Sequence, residues 1–322
     1  MTRLRRSDPH GPGLRRVRRG RGFEYRMPDG TRIEDAATLD RLRALAVPPA
    51  WTDVWLSPHE NGHILATGVD DAGRRQYLYH PAWHERVAQE KFDRMLQLAA
   101  VMPAVRGGVT RDLRLDGFGR RRVLAGAFRM LDSALLRVGS EQYARQHGSV
   151  GLVTLRGAHA RVRENRLVEL SFPGKSGQPW ESKIDDAELA ALIAGLKRRG
   201  GRTLLLSWRE NGDDAWHPLR PADVNDDVRT RTGGEFTAKD FRTLHGTISA
   251  AEALARIGPR GTVSARKRAV AAAIRETAAI LGNTPAVARA SYVDPRIVDL
   301  YDEGVVVDPG RRVEPQLIEL LS

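Results

Sequence analysis

The sequence predicts an α+β protein in which a small β-rich N-terminal domain precedes a larger, mainly α-helical domain with a short three-stranded sheet. Residues 23–83 form short alternating runs broken by turns, whereas apolar residues from position 84 onward recur at spacings of three and four. Alternation returns between residues 151 and 174. The 322 residues, of which 41% are hydrophobic, suffice for one large or two modest domains with a proper core.

These changes of pattern divide the chain into three segments. The first, residues 1–20, combines many arginines with Gly and Pro and has almost no apolar content, so we expect a disordered basic arm. Residues 21–84 form the β-rich domain, and residues 85–322 form the mainly helical domain.

In the β-rich domain the sequence predicts short strands broken by turns, and one helix. FEYRMPDGTRI has a PDG turn, and HILATGVDDAGRRQYLYH has a DDAG turn. Between them, LDRLRALAVPPAW predicts a helix that ends at the prolines.

The second domain begins and ends with helical patterns. ERVAQEKFDRMLQLAAVM and RRRVLAGAFRMLDSALLRVG predict helices, and GLVTLRGAHARVRENRLVELSFPG predicts strands with an RENR turn. Helical spacing then returns in WESKIDDAELAALIAGLKRR, TAKDFRTLHGTISAAEALARI and VSARKRAVAAAIRETAAILG. The tail from about residue 302 onward is expected to be helix and turn.

Composition restricts the class of partner. Lys and Arg number 52 against 40 Asp and Glu, which gives a net charge of +12 and a sequence pI near 10.6. Such a molecule attracts polyanions, and nucleic acid is the first to consider. Cysteine is absent, which excludes disulfides and thiolate metal sites and fits a reducing compartment. Without an apolar run of membrane-spanning length or a signal-peptide core, we expect a soluble, intracellular protein with no membrane partner.

Several polar residues in otherwise ordinary segments are candidates for chemistry. Taken singly, Arg137 fits a helix-terminal cation, Lys175 a solvated hairpin tip, and Asn283 an N-cap before Thr284 and Pro285. A tyrosine such as Tyr292 is usually a packed core residue. Each of these explanations is sufficient for one residue.

Together the candidates fit attack on a phosphodiester. Charge develops on the nonbridging oxygens, and Arg137, Arg242 and the amide of Asn283 are suited to stabilise it. Tyr292 needs nearby cations to become a nucleophile, since its phenol has a pKa of about 10 in water. Lys175 is suited to protonate the leaving oxygen, and Lys239 shares a helical face with Arg242. Without an acidic cluster at ligand spacing, we expect neither metal nor cofactor.

At these residues the chain resembles a known family. LLRVGSEQYARQHGSVGLVTL, SFPGKSG, FTAKDFRTLHGT and LGNTPAVARASYVDP resemble, in order and spacing, the type IB DNA topoisomerases of the compact poxvirus and bacterial kind. The likeness covers nearly the whole chain after the arm. It implies a topoisomerase IB/tyrosine recombinase-like catalytic fold for residues 85–322 and a DNA-binding domain for residues 21–84.

The resemblance implies specific catalytic roles. Tyr292 matches the nucleophile that forms a 3′-phosphotyrosyl bond, and Arg137 and Arg242 match the arginines that hold the scissile phosphate. Lys175 matches the lysine that protonates the departing 5′-oxygen, and Lys239 matches an auxiliary basic residue in the active site. Asn283 stands where poxvirus enzymes have histidine; it can donate a hydrogen bond but carries no charge or transferable proton.

DNA contacts are implied as well. GRRQYLYHP resembles a strand that enters the major groove, with Gln76, Tyr77 and Tyr79 at base-contacting positions, and Tyr143 matches a second DNA-contacting tyrosine. The basic run Arg120, Arg121 and Arg122 is expected to bind phosphates. The implied enzyme is a cytoplasmic, nucleoid-associated monomer that clamps duplex DNA between its domains, cuts one strand, allows swivelling and reseals it without ATP or metal.

Two alternatives remain open at the level of sequence. A tyrosine recombinase uses a similar catalytic set, but Lys239 to Arg242 is Lys-x-x-Arg where recombinases usually have His-x-x-Arg, and the N-terminal domain here is β-rich. A noncatalytic DNA-binding protein would explain the charge and leave Tyr292 without a role.

Overall fold

The protein consists of two compact units, Met1–Lys91 and Phe92–Ser322. The structure is a computed structural model that describes residues 3–141, 144–145 and 148–322. The division falls inside a long helix, Pro81–Leu113 (α2), rather than between residues 84 and 85.

The smaller unit is built on a five-stranded antiparallel sheet of order β2-β1-β3-β4-β5. Its elements are β1 (Leu14–Arg19), β2 (Gly22–Arg26), α1 (Ala36–Ala44), β3 (Thr52–Leu56), β4 (Ile64–Val69) and β5 (Arg75–Tyr79). Helix α1 begins at Asp35, whose carboxylate accepts a hydrogen bond from the Thr38 amide, and its Leu42 packs into the sheet core. The β-rich character that the sequence predicts is confirmed.

The prediction of a disordered arm over residues 1–20 is wrong for its second half. Leu14–Arg19 is strand β1, paired with both β2 and β3. Its Arg16 is buried, and the guanidinium donates to the carbonyls of Val47, Pro48 and Trp51. Those acceptors lie more than thirty positions away in the chain, so the arginine-rich composition gave no sign of them.

The larger unit is mainly helical, as predicted. After α2 come α3 (Arg120–Ala134), α4 (Ala187–Lys197), α5 (Pro221–Thr232), α6 (Ala238–Ile257), α7 (Val263–Leu281), α8 (Pro285–Tyr292), α9 (Pro295–Asp302) and α10 (Val313–Leu321). Between α3 and α4 lies the antiparallel sheet β6 (Ala160–Arg163), β7 (Leu167–Pro173) and β8 (Pro179–Asp185). A two-stranded ribbon, β9 (Ser207–Trp208) and β10 (His217–Pro218), precedes α5. In the described ranges, no helix has the length and apolarity needed to cross a bilayer.

Two boundaries differ from the sequence prediction. WESKID is the third strand, β8, and is hydrogen-bonded to β7 along its length; the helix starts only after Asp186, which caps it. Helix α3 ends at Ala134 because Leu135 adopts a left-handed conformation, so Arg137 lies in the following loop and is not helix-terminal. In both places the observed structure involves hydrogen bonds to other elements: β8 pairs with β7, and the Leu135 carbonyl accepts a hydrogen bond from Arg242.

The core of the larger unit joins α3 to α6. Phe128 of α3 and Phe241 of α6 are fully buried and meet edge to face, with ring centroids 5.1 Å apart. Helix α6 also packs on α7 and α8. The ends of α3, α7 and α8 are thereby brought to one side of α6.

A buried ionic network also ties α3 to α6. Asp132 accepts hydrogen bonds from Nε and a terminal nitrogen of Arg106, at 2.7 and 3.0 Å, and from Nε2 of His245 at 2.9 Å. Arg106 also donates to Glu314 at 2.7 Å. Burial alone would raise the pKa of Asp132, but the hydrogen bonds from His245 and Arg106 hold it well below its usual range. The ionised carboxylate is therefore part of the folded state.

We expect Asp132→Asn to destabilise the protein by about 2–3 kcal/mol at neutral pH, because bonds to a charged acceptor are lost. A depressed carboxyl pKa stabilises the fold above the unfolded-state pKa, about 3.9, and this stabilisation declines as the pH falls below it. The difference in unfolding free energy between native and variant, measured by urea titration, should therefore shrink below about pH 4. The exposed Asp226→Asn serves as control, and a pH-independent difference for Asp132→Asn would contradict the assignment.

Candidate active site

Four of the predicted catalytic residues converge at the ends of α3, α7 and α8 beside α6. Arg137 lies in the loop after α3, Arg242 in the first half of α6, Asn283 in the turn between α7 and α8, and Tyr292 at the last position of α8. Contacts among these four side chains connect them into one cluster.

Arg242 is the buried centre of this cluster, with only 3% of its surface exposed. Its two terminal nitrogens donate to the carbonyls of Leu135 and Leu281, each at 2.5 Å. Among the described residues, its Nε has no hydrogen-bond partner and no carboxylate pairs with the guanidinium. Burial, followed by the charge of Arg137, lowers the Arg242 pKa to about 10. The site thus holds a desolvated cation whose charge has no anionic counterpart in the described chain.

Tyr292 packs against this cation. Its side chain is 8% exposed and contacts Leu135 and Leu281, and the Arg242 guanidinium carbon lies 5.1 Å from its ring centroid. Burial opposes ionisation of the phenol, but the guanidinium groups of Arg242 and Arg137 outweigh it and lower the Tyr292 pKa. The two arginines therefore favour the phenolate form of Tyr292.

Arg137 and Asn283 complete the cluster. A terminal nitrogen of Arg137 donates to Oδ1 of Asn283 at 2.7 Å. This bond occupies the accepting oxygen of the amide. The donor nitrogen, Nδ2, is buried and has no hydrogen-bond partner among the described residues. The result is a group of donors around the tyrosine, with two cations and one neutral amide.

The loop that carries Arg137 is held by main-chain contacts. The amides of Leu152 and Val153 donate to the carbonyls of Arg137 and Val138 at 2.8 and 2.9 Å. Gly151 makes this approach possible, since a Cβ there would lie 2.8 Å from the Arg137 carbonyl oxygen. These contacts fix the backbone at Arg137 and Val138.

The turn between α7 and α8 places Asn283 beside Arg137. Gly282 ends α7 with a φ of +57°, and a Cβ there would lie 2.8 Å from the Trp180 ring. Thr284, not Asn283, is the N-cap of α8, with Pro285 at the first helical position. The amide of Asn283 is therefore free of a capping role and turns toward Arg137.

Trp180, which the sequence analysis did not single out, links the hairpin of Lys175 to this cluster. It lies on β8, stacks on Phe172 with ring centroids 6.3 Å apart, and has the Arg242 guanidinium carbon 6.0 Å from its own ring. In the sequence, the only indication of this role was a large aromatic residue five positions after Lys175.

The two predicted lysines are exposed and do not join the cluster. Lys175 begins a short 3-10 turn, Lys175–Gly177, at the tip of the β7–β8 hairpin, and Lys239 is the second residue of α6. Neither side chain has a hydrogen bond or ion pair in the described part of the chain. Their proposed contact with substrate remains a prediction.

Three of the predicted DNA-contacting residues lie together on one edge strand of the smaller unit. Gln76, Tyr77 and Tyr79 lie on edge strand β5, where the two tyrosine rings stack 6.0 Å apart and Gln76 donates to Asp70 at 2.8 Å. Tyr77 is 45% exposed. Tyr143 lies outside the described residues.

The basic run at the start of α3 is engaged within the protein. Arg120 pairs with Asp223 at 2.8 Å, Arg121 with Asp112 at 2.7 Å, and Arg122 donates to the carbonyls of Leu113 and Gly117. Phosphate binding by these residues stays a prediction, and it would compete with the internal bonds. No group of three or more His, Asp or Glu in the described ranges is arranged to hold a metal ion.

A mainly helical domain with a tyrosine held against two guanidiniums fits the class of enzymes that transfer a DNA phosphoryl group to a tyrosine. The model for the catalytic core of eukaryotic DNA topoisomerase I matches residues 81–302, and the model for the N-terminal domain of bacterial DNA topoisomerase IB matches residues 22–70. The chain belongs to the type IB DNA topoisomerase family.

Similar proteins agree with this membership. DNA topoisomerase 1B of Acanthamoeba polyphaga mimivirus is 31% identical over 294 residues, which cover 90% of this chain and 87% of the viral protein. DNA topoisomerase 1 of rabbit fibroma virus is 24% identical, over 85% of this chain and 87% of its own. DNA topoisomerase 1B of vaccinia virus (strain Copenhagen) is 21% identical, over 85% of each chain.

The lowered pKa of Tyr292 is directly measurable. In a spectrophotometric titration of tyrosinate, we expect one tyrosine of the native protein to ionise below about pH 10, and this signal to be missing in Tyr292→Phe. Arg137→Ala should move it upward, because a nearby cation favours the phenolate. The exposed Arg198→Ala should leave it in place. Identical titrations of native protein and Tyr292→Phe would contradict the predicted shift.

Proposed function

We propose that the protein is an ATP-independent type IB DNA topoisomerase that relaxes supercoiled duplex DNA through a 3′-phosphotyrosyl intermediate at Tyr292. The observation that carries the proposal is the placement of a buried tyrosine against two guanidiniums that have no carboxylate partner in the described chain. A phosphodiester supplies the anion that such a site is built to hold.

In the proposed cleavage step, the Tyr292 oxygen attacks phosphorus and the bond from phosphorus to the 5′-oxygen breaks. The phenol proton leaves to solvent, more readily because Arg242 and Arg137 favour the phenolate. The same guanidiniums neutralise charge that develops on the nonbridging oxygens. Lys175 supplies the proton that the departing 5′-oxygen needs.

Asn283 and Lys239 have supporting roles in this proposal. Nδ2 of Asn283, which is buried and has no partner among the described residues, donates to a nonbridging oxygen. An amide stabilises the transition state through a neutral hydrogen bond, which is weaker than one from a charged group. Lys239, one helical turn before Arg242, adds positive charge at the mouth of the site.

Strand rotation and resealing follow from the intermediate. The phosphotyrosyl ester retains the energy of the broken phosphodiester, so the free 5′-hydroxyl reverses the reaction without ATP. Between the two steps the cut strand swivels and releases supercoils. Religation uses the same groups in reverse, with Lys175 accepting the proton.

Binding to DNA is driven by the net charge of +12 and should weaken steeply with salt. We assign base contacts to Gln76, Tyr77 and Tyr79, and backbone contacts to Tyr143, Arg120, Arg121 and Arg122. We further propose that the enzyme acts as a monomer and is associated with the nucleoid.

Relaxation of plasmid DNA tests the proposal. With chelator and without ATP, we expect the native protein to relax both negatively and positively supercoiled plasmid and to form a 3′-linked adduct that denaturant traps. Tyr292→Phe should bind DNA normally but form no adduct, whereas Tyr25→Phe, in the sheet of the smaller unit, should behave as native. Tight binding by the native protein without relaxation or adduct would indicate a noncatalytic DNA-binding protein; strand exchange between tetramer-bound sites would indicate a recombinase.

The role of Lys175 can be separated from binding. We expect Lys175→Ala to slow cleavage by about 100-fold or more, the contribution of a general acid. A substrate with sulfur in place of the bridging 5′-oxygen should largely restore the rate, because a thiol has a pKa of about 8.5 and leaves as thiolate without protonation. Lys183→Ala, on the same hairpin, is the matched control. Equal slowing of both substrates by Lys175→Ala would exclude the general-acid role.

A further inference from the structure

We propose that Gly246 and Thr247 of α6 are positioning residues that set the location of the Tyr292 hydroxyl by holding the main chain of Tyr292. The inference rests on the proposed function, since it assigns these residues to the nucleophile. It concerns the backbone of Tyr292, which the contacts of its ring with Arg242 do not constrain.

Gly246 allows α6 to touch the main chain of Tyr292. A Cβ at Gly246 would lie 2.6 Å from the Tyr292 carbonyl oxygen, 3.0 Å from the Tyr292 Cβ and 3.2 Å from a methyl group of Leu281. Contacts this short leave no space for a side chain. Any residue larger than glycine must push Tyr292 away from α6.

Thr247 fixes the same peptide by hydrogen bonding. Its fully buried hydroxyl donates to the Tyr292 carbonyl at 3.3 Å and accepts from the Asp294 amide at 3.1 Å. Tyr292 is the last residue of α8, where carbonyls have no partner within the helix. The threonine therefore supplies an acceptor and a donor that the helix end requires.

The chain after the nucleophile is fixed as well. Asp294 has no exposed surface, accepts from the Arg296 amide at 3.0 Å and binds the Arg296 guanidinium through both carboxylate oxygens. Thr247 thus connects α6 to a segment whose backbone and side chains are held by the hydrogen bonds between Asp294 and Arg296. Tyr292 has its main chain held on α6 and its ring held by Arg242.

Arg242 and Gly246 lie one turn apart on α6. One helix therefore carries both the proposed phosphate-binding arginine and the glycine that contacts the main chain of Tyr292. This arrangement fixes the position of Tyr292 relative to the Arg242 guanidinium before DNA binds. A misplacement of the nucleophile by about 1 Å costs roughly 100-fold in rate. We therefore expect Gly246 and Thr247 to affect the cleavage rate more than DNA binding.

The first test compares Gly246→Ala with Gly107→Ala. Gly107 is a helical glycine of α2 whose added Cβ would meet no atom within 4 Å. In single-turnover cleavage of a duplex oligonucleotide at saturating enzyme, we expect Gly246→Ala to lower the cleavage rate constant by about 100-fold with unchanged DNA affinity. Gly107→Ala should match the native rate constant.

A second pair of variants decides the matter if Gly246→Ala does not fold. Thr247→Val preserves shape and removes the hydroxyl, whereas Thr247→Ser retains it. We expect Thr247→Val to cleave about tenfold more slowly at unchanged DNA affinity, and Thr247→Ser to restore most of the rate. A role in stability alone would leave the rate constants of the folded variants equal.

The outcomes separate this inference from the proposed function. Native cleavage rate constants in a folded Gly246→Ala, or in Thr247→Val, overturn the positioning role and leave the topoisomerase proposal intact. Absence of a Tyr292-dependent adduct in the native protein overturns the proposed function itself.

Discussion

The burial of the Arg242 guanidinium against two main-chain carbonyls is the constraint on which the catalytic unit depends. A desolvated cation without a carboxylate is costly, and here the acceptors are carbonyls at the C-terminal ends of α3 and α7. Helix C-termini carry partial negative charge, which offsets part of that cost without supplying a full anion. Because the arginine comes from α6, three helices must meet at this point.

The same interaction explains the chemistry of the site. A carboxylate beside Arg242 would stabilise the fold but would compete with a phosphate and remove the field that lowers the Tyr292 pKa. The protein instead keeps donors of Arg242 and Asn283 without partners among the described residues, a small loss of stability at a functional position. Asn283 adds a donor whose state does not change with pH, unlike a histidine at that position.

Much of the fold was predictable because it follows local rules. The long amphipathic patterns gave α6 and α7, and the turn residues gave the β4–β5 and β6–β7 hairpins. Strand β1 was missed because its arginine-rich, apolar-poor composition indicates disorder, although β2, the next strand along the chain, pairs with it. Strand β8 was missed because WESKID matches helical spacing as well as strand alternation. In both segments hydrogen bonds to a neighbouring strand outweighed the local sequence pattern.

The amino-acid sequence establishes which chemical groups are available and, through the order of its motifs, which family the chain resembles. It could not determine that Arg137, Arg242, Asn283 and Tyr292 share one cluster, since the contact between Arg137 and Asn283 alone spans 146 positions. Nor did it indicate Trp180, Gly246 or Thr247, whose importance arises from close approach of backbones and rings. Only tertiary packing decides which polar groups lose water together, and that shared desolvation is what turns ordinary side chains into a reactive site.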